Sequence, residues 1–268
     1  MTSKQHNLIL LGILFFSMIY TPFVETALLV SEREIEIESQ KAWEQMLAQN
    51  PLSRDLRKRS LVRCVANNII KQLDEPYRSI DWEIKLFENP GVNAFAMPGG
   101  FIGIHLGLIS NSDNESQLAS VVSHEISHVT QRHIARQIGE NVPNTIQGGL
   151  VLLGAVLLSA ISGSSEILEA GTMLAPSMMA QGQIDFTREM EIEADAIGIK
   201  TLASAGYDPY SMADMFNKLS LDGDPRNAAA IEFLRTHPTS VNRSASALKQ
   251  ARKLTVKRVA DSLGFELT

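Results

Sequence analysis

His124-Glu125-Ile126-Ser127-His128 reads H-E-x-x-H, and the rest of the chain is most simply understood around it. On a helix, residues four apart share a face, with about 5–6 Å between their Cβ atoms. Imidazoles at such positions can meet at one Zn²⁺, each about 2.0–2.1 Å from it. Glu125 stands beside them, placed to act as a base toward an attacking water. The motif also occurs by chance on solvated helices, so its context decides. Ser112 and Glu115 fit an S-x-x-E capping box that would open a helix. Leu118, Val121, Val122, Ile126, Val129 and Ile134 then recur at helical spacing and predict a buried stripe. A buried helix bearing this motif predicts a zinc centre, with His124 and His128 as ligands and Glu125 as catalytic base.

A third protein ligand is needed if the fourth zinc position is to stay open for water. The stretch from Ile184 to Ala205 predicts a second helix, within which Glu191-Ile192-Glu193-Ala194-Asp195 reads E-x-x-x-D. Glu191 can supply the missing ligand. Asp195, one turn on, is suited to hydrogen-bond the free ring nitrogen of His124 or His128. A plainer reading makes Glu189, Glu191 and Glu193 solvent charges on an amphipathic helix; the upstream H-E-x-x-H argues against it. A metzincin would carry glycine at 131 and histidine at 134, where this chain has Gln131 and Ile134, so that subclass is excluded. His133 is expected some 140° around the helix from His128, at about 3.6 residues per turn, as a solvated or outer group. Thr236-His237-Pro238 offers a lone loop histidine, with Arg243 beyond it. Either can steady the oxyanion of a tetrahedral intermediate, and His237 could instead cap the zinc.

The remaining stretches give the setting. Ser31 to Gln49 predicts a helix opened by a Ser31/Glu34 capping box, although Glu34 to Glu38 alternates as a strand would. Asp55 to Leu73 predicts another, with Leu61, Val65, Ile69 and Leu73 inward. Trp82 to Phe87, Asn93 to Ala96 and Phe101 to His105 read as strands, separated by Asn89-Pro90-Gly91 and Pro98-Gly99-Gly100. Tyr210 to Leu219 predicts a helix with Met212, Met215 and Phe216 inward, and Ala245 to Phe265 one or two surface helices. The expected class is therefore α+β: a mainly helical domain with a small antiparallel sheet beside the H-E-x-x-H helix.

At 268 residues the chain can bury one good-sized core. A net charge of −6 and the lack of a long basic run exclude nucleic acid as the expected partner. Cys64 is the only cysteine, so no internal disulfide is possible; it is expected as a small apolar core residue. Met1 to about Ala27, with Lys4 before the apolar run Leu8 to Tyr20, reads as an export signal or an uncleaved anchor. Residues 28–268 would then form one zinc metallopeptidase domain. Ile146 to Ile161 is Gly-rich and apolar, and Met173, Met178 and Met179 continue it. Residues 146–180 are expected either to fill the core or flap over it, or to touch a membrane surface or an apolar protein client.

These motifs together resemble the BepA-type periplasmic metallopeptidases, relatives of the HtpX and CAAX-processing gluzincins. The pieces that carry the resemblance are Asn93-Ala94-Phe95-Ala96-Met97-Pro98-Gly99-Gly100, the H-E-x-x-H, Glu191 through Asp195, and Thr236-His237-Pro238, within about residues 31–250. The resemblance implies a gluzincin fold, one zinc ion on His124, His128 and Glu191, and general-base catalysis by Glu125. It implies that His237 can occupy the open metal position in a self-inhibited state. It also implies that an extended substrate pairs with the strand near Asn93, Ala94, Phe95, Ala96 and Gly100. A periplasmic endopeptidase acting on misfolded or mis-assembled envelope proteins is expected, without the tetratricopeptide array of that family. The rival expectation is a chaperone-like envelope assembly factor that binds outer-membrane protein clients with little cleavage.

Overall fold

In the computed structural model, residues 31–141, 187–222, 233, 237, 241–255 and 261–266 are described below. The first helix, α1 (Glu32–Gln49), opens on the expected box: the Ser31 side chain caps the Glu34 N–H, and the Glu34 carboxylate accepts from the Ser31 N–H at 2.8 Å. The strand-like alternation at its start yields to that cap and to the burial of Ile35, Trp43 and Met46. Helix α2 (Leu56–Ile70) starts at Asp55, whose carboxylate accepts from two backbone N–H groups. Leu61, Val65 and Ile69 face the core, whereas Cys64 is exposed. The expectation of a core cysteine is corrected here: Leu61, Val62, Val65 and Ala66 define the inner stripe, and position 64 falls outside it.

Three strands follow: β1 (Glu83–Phe87), β2 (Ala94–Met97) and β3 (Phe101–His105). The sheet order is β1-β3-β2. β2 and β3 form the expected antiparallel hairpin, its turn using Gly99 and Gly100 at φ of 91° and 90°. β1, however, pairs in parallel with β3, Glu83 opposite Phe101 through Phe87 opposite His105. The sheet is thus mixed rather than wholly antiparallel, because the link from β1 passes over the β3 position to β2, and the β2–β3 hairpin then lays β3 beside β1. This leaves β2 at the edge. Gly103 lets the Phe95 ring lie across β3; a Cβ there would meet that ring at 2.0 Å.

After the short α3 (Leu106–Asn111) comes α4 (Glu115–Thr130), which carries the H-E-x-x-H. The expected Ser112/Glu115 box is replaced by another cap. Asn114 accepts from the Gln117 N–H at 2.9 Å, while Ser112 closes α3 by donating to the Leu108 carbonyl. Glu115 through Val129 are all buried, with α2, β2, α6 (Arg188–Ser204) and α7 (Tyr210–Asp222) packed around α4. Helix α5 (His133–Asn141) follows it, and α8 (Val241–Ala251) lies against α6 and α7. One apolar cluster surrounds α4; another gathers Trp43, Phe87, Phe95 and Met97 between α1 and the sheet. No helix among the described residues is long and apolar enough to cross a membrane. The expected signal or anchor and the 146–180 stretch lie outside the described residues.

Candidate active site

His124 and His128 stand one turn apart on α4, with Nε2 atoms 3.0 Å from each other. Helix α6 lies close across them because residue 198 is glycine. A Cβ at Gly198 would come within 3.2 Å of the His124 nitrogen and the Ser123 carbonyl. Glu191, two turns before Gly198, reaches the same point: its carboxylate oxygens lie 3.4 Å from His128 Nε2 and 3.6 Å from His124 Nε2. His237 enters from the far end of the chain. Its Nδ1 is 2.9 Å from Glu191 and 3.3 Å from His124 Nε2, and its ring stacks on Phe233 with centroids 4.9 Å apart. One ligand atom from each of His124, His128, Glu191 and His237 lies within 4.8 Å of the others, and all four residues are buried.

The donor chemistry fits a metal ion. His124 Nδ1 lies 2.9 Å from the Asp195 carboxylate, so the ring proton belongs on that side and Nε2 presents a lone pair inward. The same point receives the His128 nitrogen and the carboxylate of Glu191. Lone pairs and negative charge converge there, a set typical of zinc-type cations. Burial lowers the pKa of His128 well below the usual histidine range, only partly opposed by Glu191, which keeps its ring neutral and able to donate a lone pair. Burial alone would raise the pKa of Glu191, but His237 and His124 beside it hold it well below the carboxylate range.

Glu125 is fully buried on the next position of α4. Among the described residues neither of its oxygens has a hydrogen-bond donor, and His237 Nε2 stands 3.4 Å from one of them. Burial raises its pKa against the pull of His237 and His124. Burial opposes charge on His237 as well, yet the carboxylates of Glu191 and Glu125 raise its pKa above the ordinary value.

Arg243, expected near an oxyanion, is engaged with two carboxylates of the site. Its guanidinium makes two 2.8 Å bonds to Asp195 and a 2.5 Å ion pair with Glu191, and it lies over the Phe216 ring. It holds two carboxylates in place. Asp195 in turn keeps a lowered pKa: burial pushes it up, and the bonds from Arg243 and His124 outweigh burial.

Of the two places expected for His133, solvent or the surroundings of a ligand, it takes the second. It is fully buried, with Nδ1 2.9 Å from His128 Nδ1 and Nε2 3.2 Å from Glu193. Arg132 adopts φ 56° and ends α4, so helical phase does not carry through to residue 133. A non-glycine residue in that conformation has no clear sequence signal. Burial lowers the His133 pKa in spite of Glu193.

The residues expected near a substrate divide. Ala96 lines a cavity of about 370 Å³ that runs between α1 and β2 to His128, alongside Ile35, Tyr77, Ile80 and Met97. Phe95 packs instead with Trp43 and Phe87. Asn93 and Ala94 are buried, and Gly100 lies against Ile80 and Trp82.

Residues 56–251 match peptidase family M48. The chain belongs to that family. It is 41% identical over 182 residues to the beta-barrel assembly-enhancing protease of Escherichia coli O157:H7, covering 68% of this chain and 37% of that protein. It is 35% identical over 224 residues to the protein of the same name from Yersinia pestis, covering 82% of this chain and 44% of the relative. The mitochondrial metalloendopeptidase OMA1 of Arabidopsis thaliana is 36% identical over 166 residues, or 62% of this chain and 30% of the relative. The match spans less than half the length of each of these relatives.

Proposed function

We propose that the chain is a zinc-dependent endopeptidase of the cell envelope that cleaves misfolded or mis-assembled envelope proteins. The observation that carries this reading is the convergence of His124, His128 and Glu191 on one buried point with the buried carboxylate of Glu125 beside it. His124, His128 and Glu191 would hold the ion. Zinc bound there supplies Lewis acidity toward a peptide carbonyl and toward water. Glu125, its basicity raised by burial, takes a proton from the attacking water and returns it to the leaving amine. Asp195 orients His124, and Arg243 holds Asp195 and Glu191.

His237 stands among the ligand atoms, which supports a resting state in which it closes the site. The envelope location rests on the export-like start of the sequence, and the client class on relatives named for β-barrel assembly. An extended client would pair with the β2 edge and place a side chain in the neighbouring cavity. His237 also favours the second reading: a closed site suits a client-binding factor that rarely cuts.

Glu125→Gln tests the enzyme reading. The variant is expected to bind zinc as the parent does and to lose casein cleavage by several orders of magnitude. Casein degradation at the parental rate would remove Glu125 as the base. Undiminished client binding by a parent that never cleaves would favour the second reading.

A further inference from the structure

We propose that His133, Glu193 and Arg136 form a positioning relay that sets the tautomer and ring plane of His128, so that metal affinity depends on residues other than the defining positions of H-E-x-x-H and E-x-x-x-D. This rests on the reading of His128 as a metal ligand, and it concerns only how that ligand is held.

The relay follows from hydrogen-bond directions. Glu193 reaches His133 Nε2 with a carboxylate oxygen at 3.2 Å. An ionised carboxylate only accepts, so the single proton of a neutral His133 ring sits on Nε2 and its Nδ1 carries a lone pair. That Nδ1 lies 2.9 Å from His128 Nδ1. Two ring nitrogens at this distance share one proton, which His128 must supply. His128 is thereby held as its Nδ1–H tautomer, with the Nε2 lone pair turned toward His124 Nε2 at 3.0 Å and Glu191 at 3.4 Å. The two rings meet edge-on, with centroids 4.8 Å apart and planes at 77°, which also fixes the plane of His128.

Glu193 is itself pinned: Arg136 Nη1 lies 2.7 Å from the same oxygen. The turn at Arg132 makes this possible by ending α4 and bringing His133, the first residue of α5, back against His128. The two imidazoles are therefore supported alike. His124 rests directly on Asp195, which Arg243 holds; His128 rests on Glu193 through one extra imidazole, and Arg136 holds Glu193. Groups that orient a ligand histidine in this way typically change metal affinity by about 10–100-fold when removed.

The test is zinc affinity of the whole purified chain, measured by competition with a chromophoric chelator, in the parent, Glu193→Gln, His133→Phe and His133→Gln. Glu193 and Arg136 side chains are 36% and 46% exposed, so Glu193→Gln should fold like the parent and carries the test if His133→Phe does not. His133→Phe, which has no acceptor, is expected to weaken zinc binding roughly 10–100-fold, and Glu193→Gln by about tenfold. His133→Gln, whose side-chain carbonyl can accept from His128, should recover much of the loss. Nitrogen-15 NMR of the zinc-free imidazoles should find His128 protonated at Nδ1 in the parent and mixed in Glu193→Gln, a change that mere destabilisation would not produce. Zinc affinity of Glu193→Gln within about twofold of the parent, with an unchanged His128 tautomer, would overturn the relay and leave the peptidase reading intact. A parent without zinc affinity would overturn both, whereas casein cleavage by Glu125→Gln would count against the peptidase mechanism alone.

Discussion

His237 and His105 are both buried histidines, and their surroundings set them opposite tasks. His237 lies among the ligand atoms, drawn there by Glu191 and Glu125. If it closes the site at rest, apparent activity is reduced by the fraction of molecules that are open. His237→Ala should therefore raise kcat/KM on a short peptide several-fold at unchanged protein concentration. A fall of about 10²-fold would instead identify His237 as an oxyanion donor and sink the closed-site reading. His105 sits at the end of β3 with its ring edge-on to Phe87 and Phe95. Burial pushes its pKa down from 6.5 to about 4. The unfolded chain thus takes up this proton first as pH falls. The stability it carries is complete above about pH 6.5, is lost between there and about pH 4, and changes no further below. The whole effect is roughly 3 kcal/mol, from about 1.4 kcal/mol per tenfold in proton affinity. Denaturant unfolding of the zinc-free chain from pH 7 to pH 4 should show a shallower decline in His105→Phe than in the parent. Parallel curves would mean that His105 is not held neutral.

Helix α4 is the element on which the site depends, and its burial needs explanation because it is rich in polar residues. Three serines resolve this by donating to their own helix: Ser120 to the Gln117 carbonyl, Ser123 to Ser120 and Ser127 to Ser123, at 2.7–2.9 Å. Their hydroxyls need no outside partner, and their small size lets neighbours approach. The first turn is satisfied from afar, with Asp261 accepting from the Glu115 N–H while Glu115 accepts from Tyr207 and the Ser262 N–H. The approach of α6 depends on Gly198. Gly198→Val should force the two helices apart, lowering stability by about 1–3 kcal/mol and weakening zinc binding as Glu191 withdraws from the imidazoles. Parental values for both in a melting and chelator assay would show that the contact at Gly198 does not set the helix spacing.

For the whole molecule, bringing Glu191, Asp195, Glu125 and three imidazoles into one buried site gathers groups that, without an ion, face one another with like charges and lone pairs. Arg243 and a charged His237 offset part of this. A bound metal should offset more, because ligands present only in the folded chain make binding energy into folding energy. At zinc about a hundredfold above its dissociation constant the gain is about 2.7 kcal/mol, or roughly 5–10 °C in Tm for a domain of this size. Chelation should lower Tm by that much in the parent and leave Glu191→Gln, already weak in metal, almost unmoved. Equal Tm with and without chelator in the parent would exclude tight metal binding at this cluster.

What the sequence determined by itself is whatever repeats over a turn or two. The helix carrying H-E-x-x-H, the pairing of Glu191 with Asp195 on one face, the Ser31 cap and the inner stripe of α2 are all local, so spacing and residue type sufficed. The tertiary structure decided which distant groups meet. It set β1 parallel to β3, moved the α4 cap from Ser112 to Asn114, turned Arg243 onto Asp195 and Glu191, and brought His133 against His128 past the break at Arg132. The physical reason is that periodicity survives only while the backbone keeps its phase. Beyond a left-handed residue, a crossover or a long loop, side-chain direction is fixed by packing against elements remote in the chain.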